Sequence, residues 1–115
     1  MRSGLFGIHA AALELRSQRL AMITSNIANA ATPGYKARDL DFAAALKARN
    51  EGLGTDGAVR QATRYRVPVM PALDGNTVEM ATEQTAFAEN AVAYQATLGF
   101  LRGRIETLTR ALKGE

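Results

Sequence analysis

The stretch NTVEMATEQTAFAENAVAYQATLGFLRGRIETLTRAL, residues 76–112, carries the longest unbroken apolar period of the chain. Its apolar residues recur at alternating steps of four and three, which is the period of a seam along a supercoiling helix. The seam consists of Met80, Gln84, Phe87, Ala91, Tyr94, Leu98, Leu101, Ile105, Leu108 and Leu112, with Gln84 as its polar interruption. A helix of this length spans about 50 Å, more than the width of a compact domain of this size. We therefore predict a long C-terminal helix over residues 76–115 whose seam packs against another helix.

The start of this helix has its own signal in the sequence. Asp74-Gly75 is typical of a turn, and it is followed by Asn76 and Glu79. Asn and Glu three residues apart match a capping box, so we expect the helix to begin at Asn76. Asn90 lies beside the seam, and two interpretations stay open for it: a buried amide that sets helix register, or an exposed side chain.

Residues 3–31 are predicted to form the other long helix, with Ser3 at its N-cap position and Pro33 forcing its end. Its apolar residues form two rows more than a quarter-turn apart, so a single partner helix cannot cover both. The first row is Phe6, Leu13, Leu20 and Ile27 with Ile23 beside it, and the second row is Ile8, Ala12, Leu15 and Met22. We expect the first row to pair with the C-terminal seam and the second to stay uncovered until a neighbouring subunit packs on it.

The middle of the chain is polar and irregular. Thr32-Pro33-Gly34-Tyr35-Lys36 is typical of a turn, because proline sets φ and glycine tolerates positive φ. The alanine-rich residues 39–50 favour a short helix, which Gly52 and Gly54 would end.

Residues 53–75 contain repeated glycine and proline, and only Tyr65, Val67 and Val69 alternate like a strand. We expect an extended, weakly structured arm with at most one short hairpin. The predicted fold is therefore mainly α: one elongated domain in which long helices at 1–31 and 76–115 form an antiparallel, coiled-coil-like pair, joined by an irregular, partly extended central arm at 32–75.

The candidate assembly residues follow from the apolar rows and their polar neighbours. In the first helix they are Ile8, Leu13, Leu15, Leu20, Met22, Ile23 and Ile27. In the C-terminal helix they are Asn76, Phe87, Asn90, Tyr94, Leu98, Leu101, Ile105 and Leu108.

Asn26 and Asn29 lie near the end of the first helix, where asparagine is a poor helix former that competes for backbone hydrogen bonds. One interpretation is a frayed helix end. The other is that the two amides tie this end to the adjacent turn or to a neighbouring chain.

The formal charge of +3 and the pI of about 9.7 raise the possibility of an anionic partner. The charges are spread along the chain without a dense basic arm. Arg60, Arg64, Tyr65 and Arg66 form the best basic and aromatic cluster, although an ordinary subunit contact or solvated surface explains them more simply. A small basic helical nucleic-acid-binding protein is the alternative function.

Catalytic chemistry has little support in the sequence. The absence of cysteine excludes a disulfide scaffold and a cysteine nucleophile, and the common nucleophile, zinc and phosphate-loop motifs are missing. His9 lies beside the first row, where a packed or surface role is expected. Glu79 and Glu83 form an i, i+4 carboxylate pair without a third ligand nearby, so we interpret them as a solvated face. We predict no enzyme activity, no cofactor and no metal.

The chain has no apolar run near the roughly 18 residues needed to span a bilayer. The apolar N-terminal stretch is interrupted by His9, Glu14 and Arg16. We therefore expect no membrane span and no cleaved signal peptide.

Residues 25–36, SNIANAATPGYK, closely resemble the N-terminal signature of the bacterial flagellar rod and hook axial proteins, in which an Asn-x-x-Asn helix end runs into Thr-Pro-Gly-Tyr. The stretches KARDLDF (36–42) and LDGNTVE (73–79), with Glu83, Asn90 and Tyr94-Gln95, make the resemblance strongest to the proximal rod members. The residues that match the signature are Asn26, Asn29, Thr32, Pro33, Gly34, Tyr35 and Lys36.

This resemblance implies a structural subunit of the flagellar basal body. Such a subunit would be exported by the flagellar type III apparatus without signal cleavage and would assemble in the periplasmic rod. Its terminal helices would form the inner packed layer of a tube that transmits torque and encloses the export channel. The implied partners are copies of itself, other proximal rod proteins, the adaptor at the rod base and the membrane ring.

Overall fold

The computed structural model describes residues 4–114. The elements in chain order are α1 (Gly4–Ala28), β1 (Arg38–Leu40), α2 (Phe42–Asn50), α3 (Thr55–Ala62), β2 (Thr63–Tyr65) and α4 (Met80–Lys113). The two long helices run antiparallel, since Asn26 contacts Glu83 at one end and His9 stacks on Phe100 towards the other. The molecule measures 65 × 26 × 18 Å. The predicted mainly α, elongated pair of terminal helices is confirmed. Within the described residues, every helix is either too short or too polar to cross a membrane.

The predicted start of the C-terminal helix is wrong by four residues. Helix α4 begins at Met80, and Glu79 at its N-cap position makes no side-chain capping bond. The Asn76 side chain is used elsewhere, since it donates to backbone carbonyls at the end of the first helix. The capping box does not form because its groups have other partners: the Asn76 side-chain oxygen accepts from the Val78 N–H, and the Asn76 N–H donates to Asp74. The Glu79 carboxylate accepts from the Val69 and Met70 N–H groups. Helix α1 ends at Ala28, three residues before the predicted end.

The expectation that the second row of α1 stays uncovered is wrong for most of that row. Leu15 and Met22 of the second row are buried, whereas Leu20 of the first row is 38% exposed. The second row packs on the middle of the chain, where Leu40, Ala45 and Ala62 complete the buried cluster. The middle of the chain covers Ala12, Leu15 and Met22 of this row, whereas Ile8 at its beginning is 39% exposed. The N-cap residue Ser3 and the side chain of Phe6 lie outside the described part of the structure.

The central region is more ordered than the extended arm that the sequence predicts. Helix α3 occupies residues 55–62, and β2 pairs antiparallel with β1 in the register Arg38↔Tyr65, Asp39↔Arg64 and Leu40↔Thr63. The alternation of Tyr65, Val67 and Val69 does not mark one strand, because Val67 and Val69 lie outside β2 and are exposed. Small residues explain α3, since Ala58 and Ala62 let the helix approach the core closely. Between the end of α3 and the start of α4, the irregular part is residues 66–79.

The short helix predicted over residues 39–50 begins three residues later than expected. Helix α2 starts at Phe42, and the Asp41 carboxylate accepts a hydrogen bond of 3.1 Å from the Ala44 backbone N–H. A side-chain cap of this kind contributes about 1 kcal/mol. The residues before the cap are drawn into β1 by their pairing with β2.

The buried face of α4 differs from the predicted seam over its first half. The buried residues are Glu83, Ala86, Asn90 and Leu101, and only Leu101 belongs to the seam. Tyr94 and Leu98 are half-buried. The shift by one residue has a physical cause: hydrogen-bonded polar side chains and a small alanine let α1 approach closely, where the bulky Phe87 would hold it away. Phe87 is 44% exposed as a result.

Candidate functional site

The signature asparagines tie the end of α1 to the turn that follows. The Asn29 amide donates to the Ser25 carbonyl at 2.8 Å, and its oxygen accepts a hydrogen bond from the Thr32 hydroxyl at 3.0 Å. The Tyr35 hydroxyl lies 2.9 Å from the Ser25 hydroxyl. The frayed-end interpretation is therefore wrong, and the interpretation as a tie to the adjacent turn is confirmed.

A second segment closes over this turn. The Asn76 Nδ2 atom has two hydrogens and lies within hydrogen-bond distance of three backbone carbonyls, those of Asn29 (3.0 Å), Ala30 (3.2 Å) and Thr32 (2.7 Å), so one hydrogen is shared. The Asn76 side-chain oxygen accepts from the Val78 backbone N–H at 2.7 Å. Asn76 is 6% exposed. Because the carbonyls of Asn29 and Thr32 also accept the Thr32 and Tyr35 backbone N–H groups, the Asn76 amide adds to the bonds of the turn and ties the second segment to it.

Further bonds run in both directions between the two segments. The Gly34 N–H donates to the Asp74 carbonyl at 2.9 Å, and the Lys36 ammonium donates to the Gly75 carbonyl at 2.7 Å. The Thr77 N–H in turn donates to the Tyr35 carbonyl at 3.0 Å. We call residues 29–37 together with residues 74–77 the clasp. It unites the Thr-Pro-Gly-Tyr signature with the LDGNTVE stretch.

Two glycines are required by the backbone of the clasp. Gly34 has a φ of +75° and Gly75 a φ of +79°, in the left-handed region that other residues seldom adopt. A Cβ built on Gly75 would lie 3.8 Å from the Cα of Gly34. The two segments therefore approach each other where both lack side chains.

A network of charged side chains lies next to the clasp. The Arg19 guanidinium donates two hydrogen bonds to Asp39, at 2.8 and 2.9 Å. Arg66 donates from Nε to Glu83 Oε2 at 2.8 Å, and its Nη1 lies 3.2 Å from Asp39 Oδ2. We call Arg19, Asp39, Arg66 and Glu83 the ion-pair network. It joins α1, β1, the residue after β2 and α4.

Asn26 connects this network to the backbone. Its amide donates to the Arg38 carbonyl at 2.7 Å and to Glu83 Oε1 at 3.0 Å, and its oxygen accepts from the Arg38 N–H at 3.1 Å. Asn26 and Glu83 are fully buried. A buried carboxylate is tolerated only when it is paired and hydrogen-bonded, as Glu83 is here.

Burial by itself would raise the pKa of Asp39. The hydrogen bonds from Arg19 and from the Leu40 backbone N–H, together with the positive charges of Arg19 and Arg66, outweigh burial and lower the pKa of Asp39 below its ordinary value. The hydrogen bond to Asp39 raises the pKa of Arg19 against the opposing effect of burial. Both groups are therefore held in their charged forms.

The interpretation of Glu79 and Glu83 as a solvated face is wrong. Glu83 is not part of a solvated face but pairs with Arg66, and the Glu79 carboxylate accepts hydrogen bonds from the Val69 and Met70 backbone N–H groups. The predicted basic cluster also separates, because Arg66 points inwards while Arg64 donates to backbone carbonyls at the surface. This separation removes the cluster on which nucleic-acid binding was based.

Asn90 joins the two long helices. It is 2% exposed, and its amide donates to the Arg16 carbonyl at 2.9 Å, which rules out the exposed interpretation. Its Oδ1 is buried and has no hydrogen-bond partner among residues 4–114. The Arg16 guanidinium lies 3.8 Å from the centre of the Phe42 ring, and burial, followed by the charge of Arg19, lowers the pKa of Arg16. Asn90 thus contacts α1 at one specific residue, as expected of a group that sets register.

The predicted assembly residues divide into three groups by burial. Leu15, Met22, Ile23, Asn76, Asn90 and Leu101 are buried within the chain; Leu13, Ile27, Tyr94 and Leu98 are half-buried; Ile8, Leu20, Phe87, Ile105 and Leu108 are exposed. Near the end of α4, Ile105 is 50%, Leu108 55% and Leu112 89% exposed. We call these three residues the carboxy-terminal stripe, which forms an uncovered apolar row.

Sequence reasoning missed Arg19, Asp39 and Arg66 as members of the site, and it misplaced Asn76. The sequence does mark two of these residues, since Asp39 lies in the KARDLDF stretch and Asn76 in the LDGNTVE stretch, both of which carry the family resemblance. Their partners are distant in the chain, however. No local pattern pairs Arg19 with Asp39 or Asn76 with Asn29.

Comparisons with known proteins agree with these features. A sequence model described as flagella basal body rod protein matches residues 6–36, which cover most of α1 and the signature turn. The flagellar basal body rod protein FlgB of Cereibacter sphaeroides is 54% identical, over 95% of this chain and 94% of its own. The FlgB proteins of Aeromonas hydrophila (43% identical; 96% and 93% covered) and Escherichia coli K12 (41% identical; 89% and 88% covered) are also similar. With identities this high over nearly the whole chain, the protein belongs to the FlgB family of flagellar basal body rod proteins.

Proposed function

We propose that this chain is a structural subunit of the proximal rod of the bacterial flagellar basal body, where it assembles through its terminal helices into a tube. The observation that carries the proposal is the carboxy-terminal stripe, an uncovered apolar row on the long helix of a member of the FlgB family. The tube would transmit torque and enclose the export channel. The role is structural rather than catalytic.

The form of the molecule supports assembly. At 65 × 26 × 18 Å it is a rod-shaped unit with little thickness in which to bury apolar side chains. Besides the stripe, Leu20 and Phe87 are about two-fifths exposed, at 38% and 44%. Burial of apolar surface contributes a favourable free energy of about 25 cal/mol per Å², so covering such side chains would favour association.

The predicted assembly residues have two different roles, according to whether they are buried or exposed. Leu15, Met22 and Ile23 pack inside the chain and serve its fold. The contacts with neighbours would come from the exposed residues Ile8, Leu20, Phe87, Ile105 and Leu108. The clasp would contribute indirectly, because it holds the end of α1 against the segment that leads into α4.

The partners that we propose are copies of this chain, other proximal rod proteins, the adaptor at the rod base and the membrane ring. The route to the rod would be the flagellar type III export apparatus without signal cleavage, and the destination the periplasm. These assignments rest on family membership, and the exposed apolar residues supply a surface for such contacts.

The test compares Ile105→Asp and Leu108→Asp with the control Thr107→Asp. Thr107 is exposed on the same turn and faces away from the stripe, at about 100° per residue. Each variant replaces the native chain in a motile strain, and the readouts are swimming and the amount of chain in isolated basal bodies. Substitutions at these exposed positions change the stability of the monomer by only about 0.5 kcal/mol.

We expect the two stripe variants to be lost from basal bodies and to abolish swimming, whereas Thr107→Asp retains both. Normal incorporation of the Leu108→Asp variant into basal bodies would show that the stripe is not part of the assembly surface. Absence of the unmodified chain from basal bodies would overturn the proposed function itself.

A further inference from the structure

The segment Val67–Leu73, with the sequence VPVMPAL, is an exposed apolar surface of unusual density. Its four large side chains, Val67, Val69, Met70 and Leu73, are between 78% and 109% exposed. Within this segment no residue belongs to a helix or strand. Solvated loops are normally polar, so a contiguous apolar loop indicates a surface for a partner.

The segment is held in place although it has no regular structure. Before it, the Arg66 N–H donates to the Ala37 carbonyl at 2.9 Å, and the Arg66 side chain binds Glu83. In its middle, the Glu79 carboxylate accepts hydrogen bonds from the Val69 and Met70 N–H groups at 3.1 to 3.2 Å. Pro68 and Pro71 further restrict the backbone. A restrained apolar loop loses little conformational entropy when it binds.

The carboxy-terminal stripe has the complementary chemistry. It presents Ile105, Leu108 and Leu112, and the flanking residues on α4 include Arg102, Arg104 and Lys113. Residues 99–113 carry four basic side chains and one acidic one, a formal charge of +3. Residues 67–79 carry Asp74 and Glu79 and no basic side chain, a formal charge of −2. Two apolar surfaces with opposite charge are suited to pack together.

The two surfaces lie towards opposite ends of the molecule. The loop is hydrogen-bonded to Glu79 at the start of α4, whereas the stripe begins 25 residues further along the helix, a separation of about 38 Å. One copy cannot bring them together. Contact between the loop of one copy and the stripe of the next is head-to-tail, and such contacts generate rings or open helical stacks.

We propose that Val67–Leu73 is a docking segment that packs on the carboxy-terminal stripe of a second copy of this chain. The proposal deepens and rests on the assembly function above, and it names the surface that receives the stripe. Charge complementarity between the acidic residues that follow the docking segment, Asp74 and Glu79, and the basic residues that flank the stripe favours a second copy over an uncharged or acidic helix.

The chain has no cysteine, so single engineered cysteines report this contact directly. Met70→Cys and Leu108→Cys proteins are purified separately, mixed, oxidised and analysed for disulfide-linked dimers. The matched control mixes Met70→Cys with Thr107→Cys. A second variant adds Arg104→Glu to Leu108→Cys and reverses one flanking charge of the stripe without altering its apolar residues.

We expect the Met70–Leu108 dimer to form in several-fold higher yield than the Met70–Thr107 dimer, and Arg104→Glu to lower that yield several-fold. Equal yields with Cys at 107 and 108 would overturn the docking proposal, as would insensitivity to Arg104→Glu. If the chain is present in basal bodies and the dimers show no preference, the docking proposal alone fails. If it is absent from basal bodies, the assembly function fails, and this proposal with it.

Discussion

The fully buried carboxylate of Glu83 lies 2.8 Å from Nε of Arg66, and this ion pair fixes the start of α4 to the residue that follows β2. Asn26 binds the same carboxylate from α1 at 3.0 Å. One side chain of α4 therefore holds the other long helix and the central region together. The clasp lies beside this point, so the geometry of the signature turn depends on charges contributed by distant parts of the chain.

Glu83→Gln tests this dependence with little change of shape. We expect the free energy of unfolding to fall by about 3 kcal/mol, because removing one member of a buried ion pair leaves the other incompletely compensated. Urea denaturation followed by circular dichroism measures the change. The control Glu89→Gln, at an exposed position of the same helix, should stay within about 0.5 kcal/mol of the unmodified chain. Equal effects of both substitutions on the free energy of unfolding would show that the ion pair with Arg66 does not stabilise the fold.

Acid should weaken the fold through Asp39. Because its folded-state pKa is lowered, the folded chain binds fewer protons than the unfolded chain. Its contribution to stability is complete above the ordinary carboxyl pKa of about 3.9 and is lost as the pH falls through the lower folded-state pKa.

We therefore expect Asp39→Asn to cost about 2 kcal/mol at pH 7 and to show a smaller loss of stability on acidification than the unmodified chain. Urea midpoints measured between neutral and strongly acidic pH give the comparison. An unchanged acid dependence in the variant would assign the titration to other carboxyl groups.

Asn76→Asp should open the clasp. The aspartate has no N–H to give to the carbonyls of Asn29, Ala30 and Thr32, and its charge would face three oxygens. Losing these hydrogen bonds and placing a buried carboxylate beside carbonyl oxygens costs about 2 kcal/mol. Hydrogen exchange should show faster exchange of the Gly34 N–H, which is bonded to the Asp74 carbonyl.

The matched control for this change is Asn50→Asp, at an exposed position that ends α2. We expect it to leave the exchange at Gly34 unchanged, since it makes no contact with the clasp. Unaltered exchange in Asn76→Asp would mean that the remaining bonds hold the clasp without the amide.

Two glycine substitutions should act in opposite directions. Gly34→Ala forces a side chain into a left-handed backbone with φ of +75° and should cost about 1 kcal/mol. Gly99→Ala lies inside α4, where a Cβ meets nothing within 4 Å, and should stabilise the chain by about 0.5–1 kcal/mol through helix propensity. Thermal unfolding measures both. If Gly99→Ala stabilises the purified chain yet reduces swimming, a neighbouring subunit packs closely on that face.

Individual residues show which contacts can be predicted from the sequence and which cannot. Asn26 and Asn90 were left with two interpretations each, and the structure decides for the bonded one in both cases. Arg66 could not be placed, because its partners Asp39 and Glu83 lie on other elements. Helix α3 was missed because glycine and proline dominate its surroundings, although its two buried alanines pack it on the core.

The sequence by itself determined the two terminal helices and the presence of apolar residues left exposed on them. Both follow from the local apolar period, which does not depend on contacts between distant residues. The sequence also determined the signature turn, since proline and glycine act on their own backbone. Only the tertiary structure decided which row of α1 is covered, where α4 begins and why Glu83 is buried. Those outcomes depend on contacts between residues far apart in the chain, such as Asn76 with Asn29 and Glu83 with Asn26, whose free energy outweighs the local preference for a capping box or a solvated face.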